Sequence, residues 1–221
     1  PTMLISGGDT PLGNSVIQKA LADGFNVVAT APSISNQGQR NNGEKGRSES
    51  LMLVPWSRLS PVSARNVVLR AIASYGAIDQ AIMVHSLTNE RKMLHEITLN
   101  RMQEIVDVQL KSHLFLAKEI LSHFLKRKAG VLSLVVDAGA QGELPTMDSL
   151  VTQGFIALAK SLMSTYRNEP IIINGFESQS NDVKPYADFI IAAVSASATA
   201  GKWYHLTEKS GLFRGRSSGK H

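Results

Sequence analysis

The residues able to do chemistry fall in three places along the 221-residue chain. The first is the opening run Ser6-Gly7-Gly8-Asp9-Thr10-Pro11-Leu12-Gly13, set between a short apolar stretch and a segment of helical period. Glycines in such a turn let backbone approach a phosphate closely, and the N–H groups and dipole of the following helix attract its charge. The second is His85, just after the apolar run Gln80 to Val84. Imidazole is the side chain whose ordinary pKa suits it to exchange a proton near neutral pH. The third is the pair Asp137 and Asp148. Two carboxylates brought close would push one pKa upward, giving an acid/base pair or a site for a hard cation. The plainer reading makes Asp137 the end of a strand before Ala138-Gly139, and Asp148 a helix N-cap.

Several classes of chemistry are excluded by inventory. The chain has no Cys, so neither a disulfide framework nor a thiolate metal site is available. His113 and His123 lie ten apart on one helical segment and do not share a face, so they are not a metal pair, and no metal is expected. The formal charge is +5 with a pI near 9.5, yet 23 basic and 18 acidic residues are interspersed. The densest basic cluster is Lys209, Arg214, Arg216 and Lys220, in a tail over 209–221. A solvated surface explains this balance better than a nucleic-acid partner. No apolar run approaches the ~20 residues needed to cross a bilayer, and a cytoplasmic location is expected.

The elements that must position these groups alternate in type. Strand-length apolar runs over 2–6, 26–31, 51–54, 80–84, 131–136, 171–174 and 202–206 are separated by longer stretches of helical period. That alternation predicts one α/β domain over 1–221, a doubly wound parallel sheet of about seven strands with helices on both faces. Thr10-Pro11 and Ser60-Pro61 each read as an N-cap followed by proline at the first helical position, where a missing N–H costs nothing. One helix is predicted over 99–128 and another over 148–167, both long enough to pack against a second subunit. The stretch 33–50, rich in Gly, Asn, Gln, Ser, Arg and Lys, has too little apolar surface to order itself and reads as a flexible loop.

Taken together, these features resemble the short-chain dehydrogenase/reductase family. Ser6, Gly7 and Gly13 fall in register with its T-G-x-x-x-G-x-G turn, 78–84 with its fourth strand, 102–128 with its long interface helix, and Gly154 to Leu162 with its catalytic helix. The resemblance implies a Rossmann-type fold, a bound NAD or NADP, and a homodimer or homotetramer formed through the helices 99–128 and 148–167. It also implies cofactor contacts at Gly7, Thr10, Leu12 and Gly13.

The family's catalytic positions are occupied by other residue types. Its Asn falls on Gln109, its Ser on Asp137, and its Tyr and Lys on Asp148 and Thr152. In the family the Tyr hydroxyl exchanges a proton with substrate while the Lys lowers its pKa. An aspartate is shorter and ionised, and a threonine brings no positive charge. Pro11 takes the middle glycine position, and Pro55-Trp56 stands where the family has an Asp near adenine. Ala29-Thr30-Ala31 ends the second strand without the acid that binds an adenosine ribose. Arg40, Lys45 and Arg47 are candidate 2′-phosphate contacts, although a solvated loop explains them as well. The reading that follows is a diverged, non-catalytic member acting by ligand or partner binding. The alternatives are an NAD(P)-dependent oxidoreductase with His85 or the Asp137/Asp148 pair as a rearranged proton donor, and an obligate subunit of a larger assembly.

Overall fold

The computed structural model describes residues 1–32, 50–88, 90–139, 143–178, 180–196 and 201–207. The segments 33–49 and 208–221, with Arg40, Lys45, Arg47 and the basic tail, lie outside the described residues. Strands β1 (Thr2–Ile5), β2 (Asn26–Pro32), β3 (Leu51–Trp56), β4 (Gln80–Ser86), β5 (Val131–Asp137), β6 (Ile172–Ser178) and β7 (Trp203–Leu206) form one sheet in the order β3-β2-β1-β4-β5-β6-β7. Every pairing is parallel. The strand order reverses between β1 and β4, and such a reversal opens a crevice at the carboxyl ends of the strands.

Burial on both faces follows from the alternation of side chains along each strand. Leu4, Val28, Met83 and Leu134 meet helices α2 (Pro61–Tyr75), α4 (Ser112–Arg127) and α5 (Thr146–Thr165) on one side. Met3, Ile5, Ile82 and Val135 meet α1 (Pro11–Ala22) and α6 (Val183–Ser195) on the other. Both proline-opened helices form as the sequence predicts. Thr10 accepts from the Gly13 N–H and Ser60 from the Ser63 N–H, with proline at the first helical position in each.

Three boundaries differ from expectation. The predicted 99–128 helix is α3 (Leu99–Val106) and α4 joined by a π-helical turn, Asp107–Lys111. That widened turn holds Gln109 and frees carbonyls from the regular ladder. Ser112 Oγ donates to the Val108 carbonyl at 2.5 Å, and the His113 ring donates to that of Gln109. Helix α5 begins at Thr146 after Pro145, so Asp148 lies inside the first turn and is not the N-cap. Its carboxylate is drawn away from the helix by a loop partner. Finally, β6 runs on through Gly175 to Ser178 because β7 pairs along it, Gly175 lying opposite Trp203. A Cβ at Gly175 would stand 2.0 Å from the Trp203 ring, which explains a glycine in mid-strand.

Candidate functional site

The crevice begins at the turn after β1. The Ser6 N–H donates to the Ile82 carbonyl and Ser6 Oγ accepts from the Val84 N–H, so the chain leaves β1 locked to β4. Gly7 then adopts φ +77°, a backbone conformation that side chains rarely tolerate. Thr10 closes the turn: its N–H and its hydroxyl both donate to the Gly7 carbonyl, at 2.9 and 2.8 Å, and the same hydroxyl accepts from the Gly13 N–H at 3.0 Å. Gly13 sits so close to this carbonyl that a Cβ would lie 1.9 Å from its oxygen. Gly13→Ala is therefore expected to cost more than about 2 kcal/mol, because backbone must move to relieve the clash. Urea denaturation checks this, and a cost below about 0.5 kcal/mol would mean that the turn is looser than its hydrogen bonds indicate.

This geometry tests whether a dinucleotide fits. The shape does, since the close glycine approach and the positive-φ corner are both kept. The donors are fewer: Pro11 has no N–H and that of Gly13 is taken by Thr10, so Leu12 is the residue whose N–H these contacts leave for an anion.

Near the carboxyl ends of β4 and β5 and on the first turns of α5, the residues that the resemblance sets at catalytic positions are anchored one by one. Asp148 is fully buried, and its Oδ1 accepts from the Thr88 N–H at 2.7 Å and from the Thr88 hydroxyl at 2.6 Å. Thr152, one turn further along α5, is within 3.0 Å of His85 Nε2. His85 is wholly enclosed: its ring stacks on Phe155 at 5.0 Å and meets His113 edge-on at 5.7 Å, while His113 meets Phe155 at 4.8 Å. Burial, then His113 and the Arg58 guanidinium, push the His85 pKa down to about 3. Burial also pushes His113 down to about 4, against its hydrogen bond to Gln109 and with the Arg58 charge. Because a carbonyl only accepts, His113 Nδ1 carries the hydrogen that bonds the Gln109 carbonyl at 2.6 Å. Both rings are neutral at physiological pH. Gln109 Oε1, His85 Nδ1 and Asp148 Oδ2 are buried without a hydrogen-bond partner among the described residues.

Asp137 belongs to a different environment. It ends β5, receives the Ser86 hydroxyl at 3.5 Å, and is pushed upward in pKa by burial. Its charge is felt by Tyr186 on α6, whose hydroxyl donates to the Val136 carbonyl at 3.2 Å. The two carboxylates have separate hydrogen-bond partners, Ser86 for Asp137 and Thr88 for Asp148. Among the described residues no group of three His, Asp or Glu side chains could hold a metal. His123 lies apart and takes the Ile78 N–H.

Sequence reasoning missed that His85 has an aromatic cage. The signals were helical spacing: Gln109 and His113 are four apart, and Asp148, Thr152 and Phe155 follow at four and three, so each set shares one face. Also missed was Arg58, which follows β3, bonds Asp9 at 3.3 Å and stands 5.4 Å over the Trp56 ring.

A parallel sheet with a glycine turn at its switch point defines a Rossmann-type α/β fold. The sequence profile of the short chain dehydrogenase family matches residues 1–176, and the chain belongs to that family. No curated protein matches it by sequence. Among solved structures, a 3-oxoacyl-reductase-like protein from Bacillus thuringiensis is 19% identical with a TM-score of 0.79, over 96% of this chain and 99% of the other. ElxO with NADP bound has 13% identity and a TM-score of 0.80, over 93% and 96%. The 3-ketoacyl-(acyl-carrier-protein) reductase from Brucella melitensis, complexed with NADH, has 13% identity and a TM-score of 0.78, over 96% and 98%. At these identities the likeness is one of fold. Among the described residues no helix is long and apolar enough to cross a membrane.

Proposed function

We propose that this chain is a non-catalytic member of its family, a cytoplasmic protein of one domain that binds a nicotinamide dinucleotide at the turn Gly7 to Gly13 without reducing a carbonyl compound. The observation that carries this reading is the sealed state of the former proton-transfer site. Where the family needs a Tyr hydroxyl facing substrate, Asp148 is fully buried with one oxygen committed to Thr88. The imidazole of His85 is fully buried against Phe155 and its pKa is pushed down to about 3, so at neutral pH it is not an imidazolium acid. Thr152, at the Lys position, is turned to His85 and supplies no charge to a ribose. Gly7, Thr10, Leu12 and Gly13 would hold the pyrophosphate, with Leu12 N–H as the remaining first-turn donor. When bound, a nicotinamide group supplies hydride chemistry, but this chain lacks a partner group to complete it.

Self-association through α3–α4 and α5 belongs to the same proposal. Leu99, Leu114 and Leu150 on those helices are between half and four-fifths exposed, which an isolated chain has no reason to favour. Titration calorimetry with NAD, NADH, NADP and NADPH, together with a carbonyl-reduction screen, tests the reading. Binding without turnover is expected. Turnover that disappears in Asp148→Asn or His85→Gln would overturn it. The rival reading, an oxidoreductase with a displaced proton donor, is favoured only by the raised pKa of Asp137. Turnover abolished by Asp137→Asn would establish that rival.

A further inference from the structure

Resting on the dinucleotide reading above, we propose that Arg58 is the cofactor-selecting residue of the crevice, recognising a phosphate ester on the adenosine ribose and so favouring NADP(H) over NAD(H). Arg58 lies in the Ser57 to Ser60 turn that follows β3, at the carboxyl end of the sheet. Its side chain is about three-quarters buried, and it reaches across the end of β2 to Asp9 in the glycine turn at 3.3 Å. It thereby spans the β1-β2-β3 half of the crevice, the half that takes one mononucleotide of a dinucleotide at a switch point.

The guanidinium is also held from below. Trp56, itself buried, presents its ring 5.4 Å from the guanidinium carbon. Two anchors on one side chain fix a planar fork of donors at the crevice mouth, the geometry that pairs with phosphate oxygens and that a lysine does not reproduce. The Asp9 contact is partly exposed and long, so a doubly charged phosphate can replace or share it. The Arg58 charge also lowers the pKa of both His85 and His113, after the larger effect of burial.

The local charge balance selects the ligand. An unphosphorylated ribose needs an acceptor for its hydroxyls, usually a carboxylate at the end of the second strand. Here Ala29-Thr30-Ala31-Pro32 ends β2, and Pro55 stands near the end of β3. Among the described residues the carboxylate that Arg58 meets there is Asp9, already paired with it. A cation whose carboxylate partner among the described residues is already engaged favours the phosphate ester over the diol.

Titration calorimetry on the full chain, with NADP, NAD, adenosine 2′,5′-bisphosphate and adenosine 5′-diphosphate as probes, decides the matter. NADP is expected to bind about tenfold or more tightly than NAD, and the 2′,5′-bisphosphate more tightly than the 5′-diphosphate. Arg58→Ala should abolish the preference while leaving NAD affinity within about twofold, and Arg58→Lys should recover only part of it. A thermal melt of each variant confirms that it folds. Equal affinities in the wild type overturn the assignment while leaving the dinucleotide reading intact. So does a parallel loss of NAD and NADP in Arg58→Ala, which would move Arg58 to the shared pyrophosphate. If neither dinucleotide binds, the dinucleotide reading itself fails and this assignment falls with it.

Discussion

Lowering the pH from 7 to 5 is expected to remove roughly 3–4 kcal/mol of folding stability, through His85 and His113 alone. Both imidazoles have folded-state pKa values far below their ordinary 6.5, at about 3 and about 4. In the unfolded chain they take up protons as soon as the pH falls toward 6.5, while in the fold they stay neutral. The unfolded state then binds more protons, so stability drops as pH falls. The loss continues until pH reaches about 4 for His113 and about 3 for His85. His123, lowered mainly by burial, acts in the same direction. Asp137 opposes it, since burial raises its folded-state pKa, but only once the pH nears the carboxylate range. Against a typical total of about 5–15 kcal/mol this is a large fraction. Urea midpoints at pH 7, 6 and 5 measure it. The double variant His85→Phe with Thr152→Val keeps an aromatic ring on Phe155, leaves no unpaired hydroxyl, and should roughly halve the slope. An unchanged slope in that variant would mean that His85 protonates within the fold.

Phe155→Ala is expected to destabilise the protein by about 3–5 kcal/mol, the range for emptying a fully enclosed aromatic site. Phe155 is among the largest side chains with no exposure, and it packs in the core formed by α2, α4, α5 and the sheet. Its ring also stacks on His85 at 5.0 Å and borders His113 at 4.8 Å. Removing it opens space beside two neutral imidazoles whose low pKa values depend on that enclosure. The variant should therefore lose stability at pH 7 and also show a shallower acid profile than the wild type. Calorimetric melts at pH 7 and 5 give both quantities. A loss below about 1 kcal/mol would show that α5 collapses onto the sheet and that the site is less rigid than its ring contacts indicate.

How much of this was legible in the sequence differs from residue to residue. The strands β1, β2 and β4 were readable because strands buried on both faces are continuous apolar runs, and α1 and α2 because a capping hydroxyl followed by proline specifies a helix start locally. The elements that hold Gln109, Asp137, Asp148 and Thr152 were readable from the apolar pattern. What they touch was not. Asp148 looked like an N-cap because Asp near a helix start usually is one, yet Thr88, from a loop 60 residues away, supplies two better donors. The π-helical turn at Asp107–Lys111 leaves no mark in a hydrophobic periodicity, which is blind to one inserted residue when both flanking helices keep their own faces.

The sequence by itself determined the class of fold, because the alternation of strand and helix depends on residue type and order. Tertiary structure decided what surrounds His85: His85 from β4, His113 from α4 and Phe155 from α5 close on one another only when three elements pack on the same face of the sheet. Proximity between distant residues is set by strand order and helix packing, and the low pKa values that follow from it arise from loss of water, which no single residue specifies.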